Sequence, residues 1–118
     1  MTFDSKELAL LIAESAAAKK ARDIMLLNME KVSPVTDYFV IATCNNKIQA
    51  QAVADEIEDN LNNLGIELLR KEGYREGSWI LLDYSDVVVH IFLEEERKYY
   101  DLERLWRDAE SISYTNNL

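Results

Sequence analysis

One histidine, His90, and one cysteine, Cys44, are the residues of this chain best suited to nucleophilic or soft-metal chemistry. A thiolate–imidazole pair could in principle attack a carbonyl carbon. Cys44, however, closes an apolar run, where a free cysteine behaves as a small hydrophobe. His90 sits inside another apolar run, the setting of a hydrogen-bonded structural histidine. A zinc site needs several converging ligands, and one of each type makes no such set. Carboxylates are plentiful: Asp83, Asp86, Glu94, Glu95 and Glu96. Two-metal phosphoryl transfer needs acids that converge on one point from a rigid strand. Here Asp83 and Asp86 flank a turn, and the glutamate run reads as the solvated start of a helix. Gly65, Gly73 and Gly77 match neither a P-loop nor a dinucleotide fingerprint. No catalytic residue, metal or cofactor is expected, and the chain does not read as an enzyme.

Composition narrows the remaining classes. At 118 residues the chain is one domain's worth of material, and its hydrophobic fraction of 48% is enough for a proper core. The formal charge is -9, from 22 acidic and 13 basic residues. Such a surface repels a phosphate backbone unless a local basic stripe exists. The densest basic groups (Lys19, Lys20, Arg22; Arg70, Lys71) are short, so nucleic acid is not expected as the main contact. A basic protein partner fits better, because complementary charge speeds encounter and orients docking. The lone cysteine suits a reducing compartment. With no long apolar run and no leader-like N-terminus, a cytoplasmic protein without membrane attachment is expected.

The elements that would position these residues follow from periodicity. Asp4 and Glu7 form a capping-box pattern, and Leu8, Leu11, Ile12 and Ala16 mark one face of a helix over 4 to about 21. The run 23–29 reads as a strand. Tyr38 to Thr43 is β-branched, aromatic and almost wholly apolar, as an interior strand covered on both faces should be. Asn46 with Gln49 can cap a second helix, whose apolar residues Ala50, Val53, Ala54, Ile57, Leu61 and Leu64 keep a helical period. Gly65 then suits the C′ position. Strands are expected at 66 to about 70, 79–84 and 87–93. Glu94–Glu96 favours a helix start through the macrodipole, and Leu102, Leu105 and Trp106 give that C-terminal helical region an apolar edge. The order α-β-β-α-β-β-β-α predicts a single small α/β domain over 1–110. It would be a mixed sheet with helices mainly on one face, and a frayed tail over 111–118.

The last two strands carry the most informative pattern. If Ser85-Asp86 is a two-residue turn, Ile80, Leu82, Tyr84, Val87, Val89 and Ile91 share one aliphatic face against the helices. Trp79, Leu81, Asp83, Val88, His90 and Phe92 share the other. That second face mixes aromatics, an acid and an imidazole, as a protein-binding patch does. It is equally compatible with Trp79 and Phe92 capping a smaller core under the C-terminal segment.

Three stretches, Thr36 to Ala42 (TDYFVIA), Trp79 to Phe92 (WILLDYSDVVVHIF) and Arg97 to Trp106 (RKYYDLERLW), together resemble the ribosomal silencing factor (RsfS or Iojap-like) family. The similarity extends from the first helix to Trp106. It implies a fold similar to nucleotidyltransferases without their catalytic residues: Cys44-Asn45-Asn46 stands where a glycine-serine loop would be, and Glu67-Leu68-Leu69 lacks an acid-x-acid pair. Fold likeness therefore carries no enzymatic function. The resemblance implies binding to large-subunit ribosomal protein fourteen, steric exclusion of the small subunit and lowered translation, with a weak homodimer when free. The expected contact residues are Trp79, Leu81, Asp83, His90 and Phe92, with Arg97 and Tyr100 near the rim. A degenerate nucleotidyltransferase-like enzyme and a homodimerisation module are the alternatives. This chain departs from the family in having Ile48 where arginine is common and Ser85 where glycine is common.

Overall fold

Asp4 begins the first helix as its spacing predicts. In the computed structural model, which describes residues 3–115, the Asp4 carboxylate accepts from the Glu7 N–H at 2.8 Å. The Glu7 carboxylate accepts from the Asp4 N–H at 3.1 Å. These reciprocal bonds satisfy two first-turn donors and fix α1 (Ser5–Ala18). Lys20, at φ 68°, turns the chain into β1 (Arg22–Asn28), and β2 (Tyr38–Cys44) returns beside it. At α2 (Lys47–Asn63) the Asn46 side chain accepts from the Gln49 N–H at 2.8 Å. Gln49 reaches back to the Asn45 N–H at 2.6 Å rather than to the cap residue itself. Gly65, at φ 76°, ends that helix in the left-handed conformation expected of it.

Among the described residues six strands form one sheet in the order β3-β4-β5-β2-β1-β6, with β3 (Arg70–Glu72), β4 (Trp79–Asp83), β5 (Val87–Leu93) and β6 (Glu110–Ser113). β2 and β5 run parallel, and the other neighbours are antiparallel. The mixed α/β architecture is thus as expected, with β2 interior and mostly buried. On one face, Leu8 and Ile12 of α1 and Val53, Ile57 and Leu61 of α2 pack against Val40, Ile80, Leu82, Val89 and Ile91.

Three expectations are corrected. The strand after α2 begins at Arg70, not at 66, because the Ile66 N–H bonds back to the Leu61 carbonyl and completes the helix end. Ile66 and Leu68 then pack on the main core as a connection. The C-terminal helical region is broken at Asp101 (φ 49°, ψ 54°) into α3 (Glu94–Tyr100) and α4 (Leu102–Leu105). Leu102 and Trp106 pack on the sheet, whereas Leu105 is 69% exposed and belongs to no apolar edge. The expected frayed tail instead supplies β6, which pairs with β1 and packs Ile112 against the main core. An unpaired β1 would leave a row of open backbone groups, and β6 closes that edge. Residues 116–118 of that expectation lie outside the described residues.

Leu82 is fully buried, so Leu82→Ala should cost roughly 2–5 kcal/mol of unfolding free energy. Leu105→Ala should stay within about 0.5 kcal/mol of the parent, as exposed sites do. Urea unfolding of the two variants measures both, and equal losses would contradict this placement of the core.

Candidate functional site

The β4–β5 hairpin has the predicted register: Trp79 faces Phe92, Ile80 faces Ile91, Leu81 faces His90, Leu82 faces Val89 and Asp83 faces Val88. Its turn works without glycine. Ser85 takes φ 73°, and the Asp86 N–H bonds to the Tyr84 carbonyl at 3.0 Å, closing a γ-turn over it. The Asp83 carboxylate accepts from the Ser85 N–H at 2.8 Å and holds the loop in that conformation. Asp83, expected among the contact residues, therefore has an internal task. Its other oxygen lies 3.9 Å from the exposed Arg70 guanidinium, an ion pair of little strength.

The structure bears out the smaller-core reading of the second sheet face. Leu27, Met29, Ile41, Phe92 and Ala109 form a second, smaller core, with Phe39, Trp79, Leu102 and Trp106 packed against it. Phe92 is 1% exposed and His90 4%. Neither can present a surface, which corrects their expected place in the contact patch. The reason is the covering C-terminal segment and its aromatics. The Tyr100 ring lies 4.5 Å from that of Trp79 and 6.4 Å from that of Phe92, centroid to centroid. Above this floor Trp79 and Leu81 are half-buried, Val88 likewise, and Tyr100 is 47% exposed.

Arg97 is also misplaced by the expectation of a rim position. Its side chain is only 12% exposed. Nε and Nη2 donate to the two carboxylate oxygens of Glu103, each at 3.0 Å, and Nη1 donates to Thr43 Oγ1 at 2.8 Å. Nη1 also reaches the Asp23 carbonyl. The residue rivets α3 and α4 to β1 and β2 beside a groove of about 390 Å³. Sequence reasoning also missed Phe39 and Trp106, which meet edge-to-face at 6.1 Å on the same side of the sheet. Alternation along β2 carried the signal for Phe39. Placing it beside Val88 required the parallel β2–β5 register, which links residues far apart in the chain.

The electrostatics of the site centre on one ring. The Trp79 indole N–H donates to His90 Nδ1 at 3.1 Å. The edge of Phe39, at 4.6 Å between centroids, and the stacked Phe92 ring enclose the imidazole. Burial drives its pKa down to about 4, so the ring is neutral at pH 7 with its proton on Nε2. That nitrogen has no partner among the described residues. Burial also pushes the Cys44 thiol up to about 11. Cys44 packs in the helix-side core and His90 lies on the opposite face of the sheet, so the two cannot act as nucleophile and base. Among the described residues no three or more His, Cys, Asp or Glu side chains cluster as metal ligands would. None of the helices described is long and apolar enough to cross a membrane.

Fold and site thus define a small mixed α/β domain whose second sheet face is sealed at its centre by aromatics and left half-open along its last hairpin. A family model described as "Ribosomal silencing factor during starvation" matches residues 2–118. The chain belongs to this ribosomal silencing factor family. It is 44% identical over 107 residues to the ribosomal silencing factor RsfS of Bacillus subtilis, covering 91% of each chain. It is 33% identical over 104 residues to the chloroplastic protein Iojap of Zea mays, covering 88% of this chain and 45% of that protein. A crystal structure from Chromobacterium violaceum matches with a TM-score of 0.87 at 30% identity, over 97% of this chain and 95% of that one. One from Bacillus halodurans matches with a TM-score of 0.82 at 39% identity, over 92% and 99%.

The folded His90 value lies below the ordinary 6.5, so between the two the unfolded chain binds more protons. Its contribution to stability is complete above about pH 6.5 and is lost as pH falls toward about 4, by up to about 3 kcal/mol. Denaturant midpoints at pH 7, 6 and 5 should show that slope in the parent and a shallower one in His90→Leu. Identical slopes would assign the titration to another group.

Proposed function

We propose that this protein binds the large ribosomal subunit through large-subunit ribosomal protein fourteen and sterically keeps the small subunit from joining, lowering translation. The observation that carries this reading is the half-open second face of the hairpin. Trp79 and Leu81 on β4 and Tyr100 at the end of α3 offer partly exposed apolar area, backed by the buried Phe92 and His90 of β5. Aromatic anchors in such a setting dominate binding energies. The surplus of acidic residues, -9 in formal charge, complements a basic ribosomal protein. Membership of a family described as a silencing factor supports the same reading. The cytoplasm is then the site of action. Asp83 contributes by holding the hairpin turn, and Arg97 by fixing the segment that carries Tyr100.

On this reading the protein has no catalytic task. The purified chain should show no nucleotidyl transfer or nucleotide hydrolysis with magnesium or manganese. Turnover abolished by Asp83→Ala or Asp86→Ala would reverse that assignment. When free, the same patch pairs weakly with a second copy, since exposed apolar area of this kind is uncommon on monomers. Light scattering at high micromolar concentration should show a mass above that of the 13.6 kDa monomer. A strictly monomeric mass would refute the pairing.

Co-sedimentation with purified large subunits tests the main reading. Trp79→Ala should bind about thirtyfold more weakly, the loss of an anchor worth ~2 kcal/mol. Leu81→Lys, which sets a positive charge against a basic partner, should weaken binding in the same direction. Leu82→Ala should melt earlier yet bind normally while folded. Normal binding by both Trp79→Ala and Leu81→Lys would move the contact surface elsewhere.

A further inference from the structure

The His90 imidazole makes one hydrogen bond among the described residues, and it accepts that bond from a side chain of the open face. The Trp79 indole N–H donates to Nδ1 at 3.1 Å. The other ring nitrogen carries the proton, is buried, and has no partner. A buried donor left unpaired is destabilising, whereas an apolar side chain of similar size would avoid that penalty. Nothing in the packing demands an imidazole: Phe39, Phe92 and Trp79 surround the ring with hydrocarbon. What an aliphatic side chain could not supply is the acceptor at Nδ1.

Trp79 needs such an acceptor because little else fixes it. It stands on β4 toward the edge of the sheet and is half-buried, with Phe92 and Tyr100 as its ring neighbours at 5.0 and 4.5 Å. Ring contacts of this kind tolerate rotation about χ2, but a hydrogen bond from Nε1 does not, since it sets which edge of the indole points inward. With the N–H turned into the protein, the edge left outside is hydrocarbon. The receiving surface then has no need of a polar acceptor, and aliphatic or cationic side chains suit the ring best.

We infer that His90 is a positioning residue for ribosome binding: it locks the indole of Trp79, N–H inward, so that a preorganised hydrocarbon edge meets the partner. This rests on the proposed function, and it adds a residue that never touches the partner. His90→Leu removes the acceptor and the unpaired donor together. It should unfold at the same or higher denaturant concentration than the parent at pH 7, yet bind large subunits about tenfold more weakly, equivalent to about 1.4 kcal/mol. His90→Asn, whose side-chain oxygen can replace Nδ1 as acceptor, should restore binding to within about threefold of the parent, about 0.7 kcal/mol. Stability and binding moving in opposite directions is a result that a purely structural histidine would not give.

A measurement on the unaltered protein guards against a variant that fails to fold. The Trp79 indole proton, assigned by its absence in Trp79→Phe, should be protected from exchange with water and shifted as a hydrogen-bonded proton. Exchange at the free-indole rate would overturn the inference. So would parent-like binding by His90→Leu in a series where Trp79→Ala binds poorly, and the docking reading would then stand alone. Parent-like binding by Trp79→Ala alone would also overturn the inference, and parent-like binding by both Trp79→Ala and Leu81→Lys would remove the docking reading with it.

Discussion

The guanidinium of Arg97 holds the second half of the structure to the first. It leaves α3, grips Glu103 at the start of α4 with a two-pronged bond, and sends its remaining nitrogen to Thr43 on β2 and the Asp23 carbonyl on β1. Glu103 keeps a third of its side chain in water, so the ion pair by itself is screened. The inward bonds matter more. Asp23 sits at φ 51° where the β1–β2 register shifts, and that irregularity leaves its carbonyl free to accept. One planar fork thus joins two helical turns and two strands, a geometry that lysine could not reproduce.

What the clamp covers decides what the sheet can do with its other face. Leu102, Trp106 and Ala109 lie over β1 and β2, and Tyr100 reaches across to Phe92 and Trp79. Cover ends there, so the outward residues of β4 and the start of β5 stay half-open. The second core and the half-open rim of the hairpin are therefore two ends of one aromatic stack. Rings held in this way would lose little entropy if a partner docked on them, because the exposed ones already rest on buried ones.

The legible parts of the molecule were those governed by neighbours in the chain. The Asp4–Glu7 box, the period of α2, Gly65 at its end and the hairpin register all depend on residues a few positions apart, and each is found as read except Leu64, which leaves the apolar face of α2 as its half-exposed C-cap. The parts missed depend on distant partners. β6 is a short polar segment with one apolar residue, Ile112, and becomes a strand because β1 offers it an open edge. Arg97 looks like a solvated charge until Thr43 and Asp23 are brought beside it. Alternation along β5 places Phe92 and His90 on the second face, and the structure has them there. Alternation tells which side a residue faces but not how deeply that side is covered, and the covering segment was the part least visible in the sequence.

The end of β2 shows why likeness to an enzyme fold need not carry its chemistry. The nucleotidyltransferase likeness that the family resemblance implies would put a glycine-serine loop at Cys44-Asn45-Asn46. Here each of those residues is committed to architecture. Cys44 is buried in the helix-side core. Asn45 accepts from the Arg22 guanidinium and gives its N–H to Gln49, while Asn46 caps α2 through the Gln49 N–H. Gln49 closes the circuit by donating to the Lys19 carbonyl at the end of α1. Grasping a phosphate there would mean freeing these donors and loosening the start of the helix that covers the sheet. The segment after α2 makes the same point, since Leu68 packs inward on the main core and Leu69 stands 61% exposed where an acid pair would be needed. With Cys44, Asn45, Asn46 and Leu68 tied into caps and core, these segments are architecture, and the half-open rim of the hairpin is a surface left uncommitted.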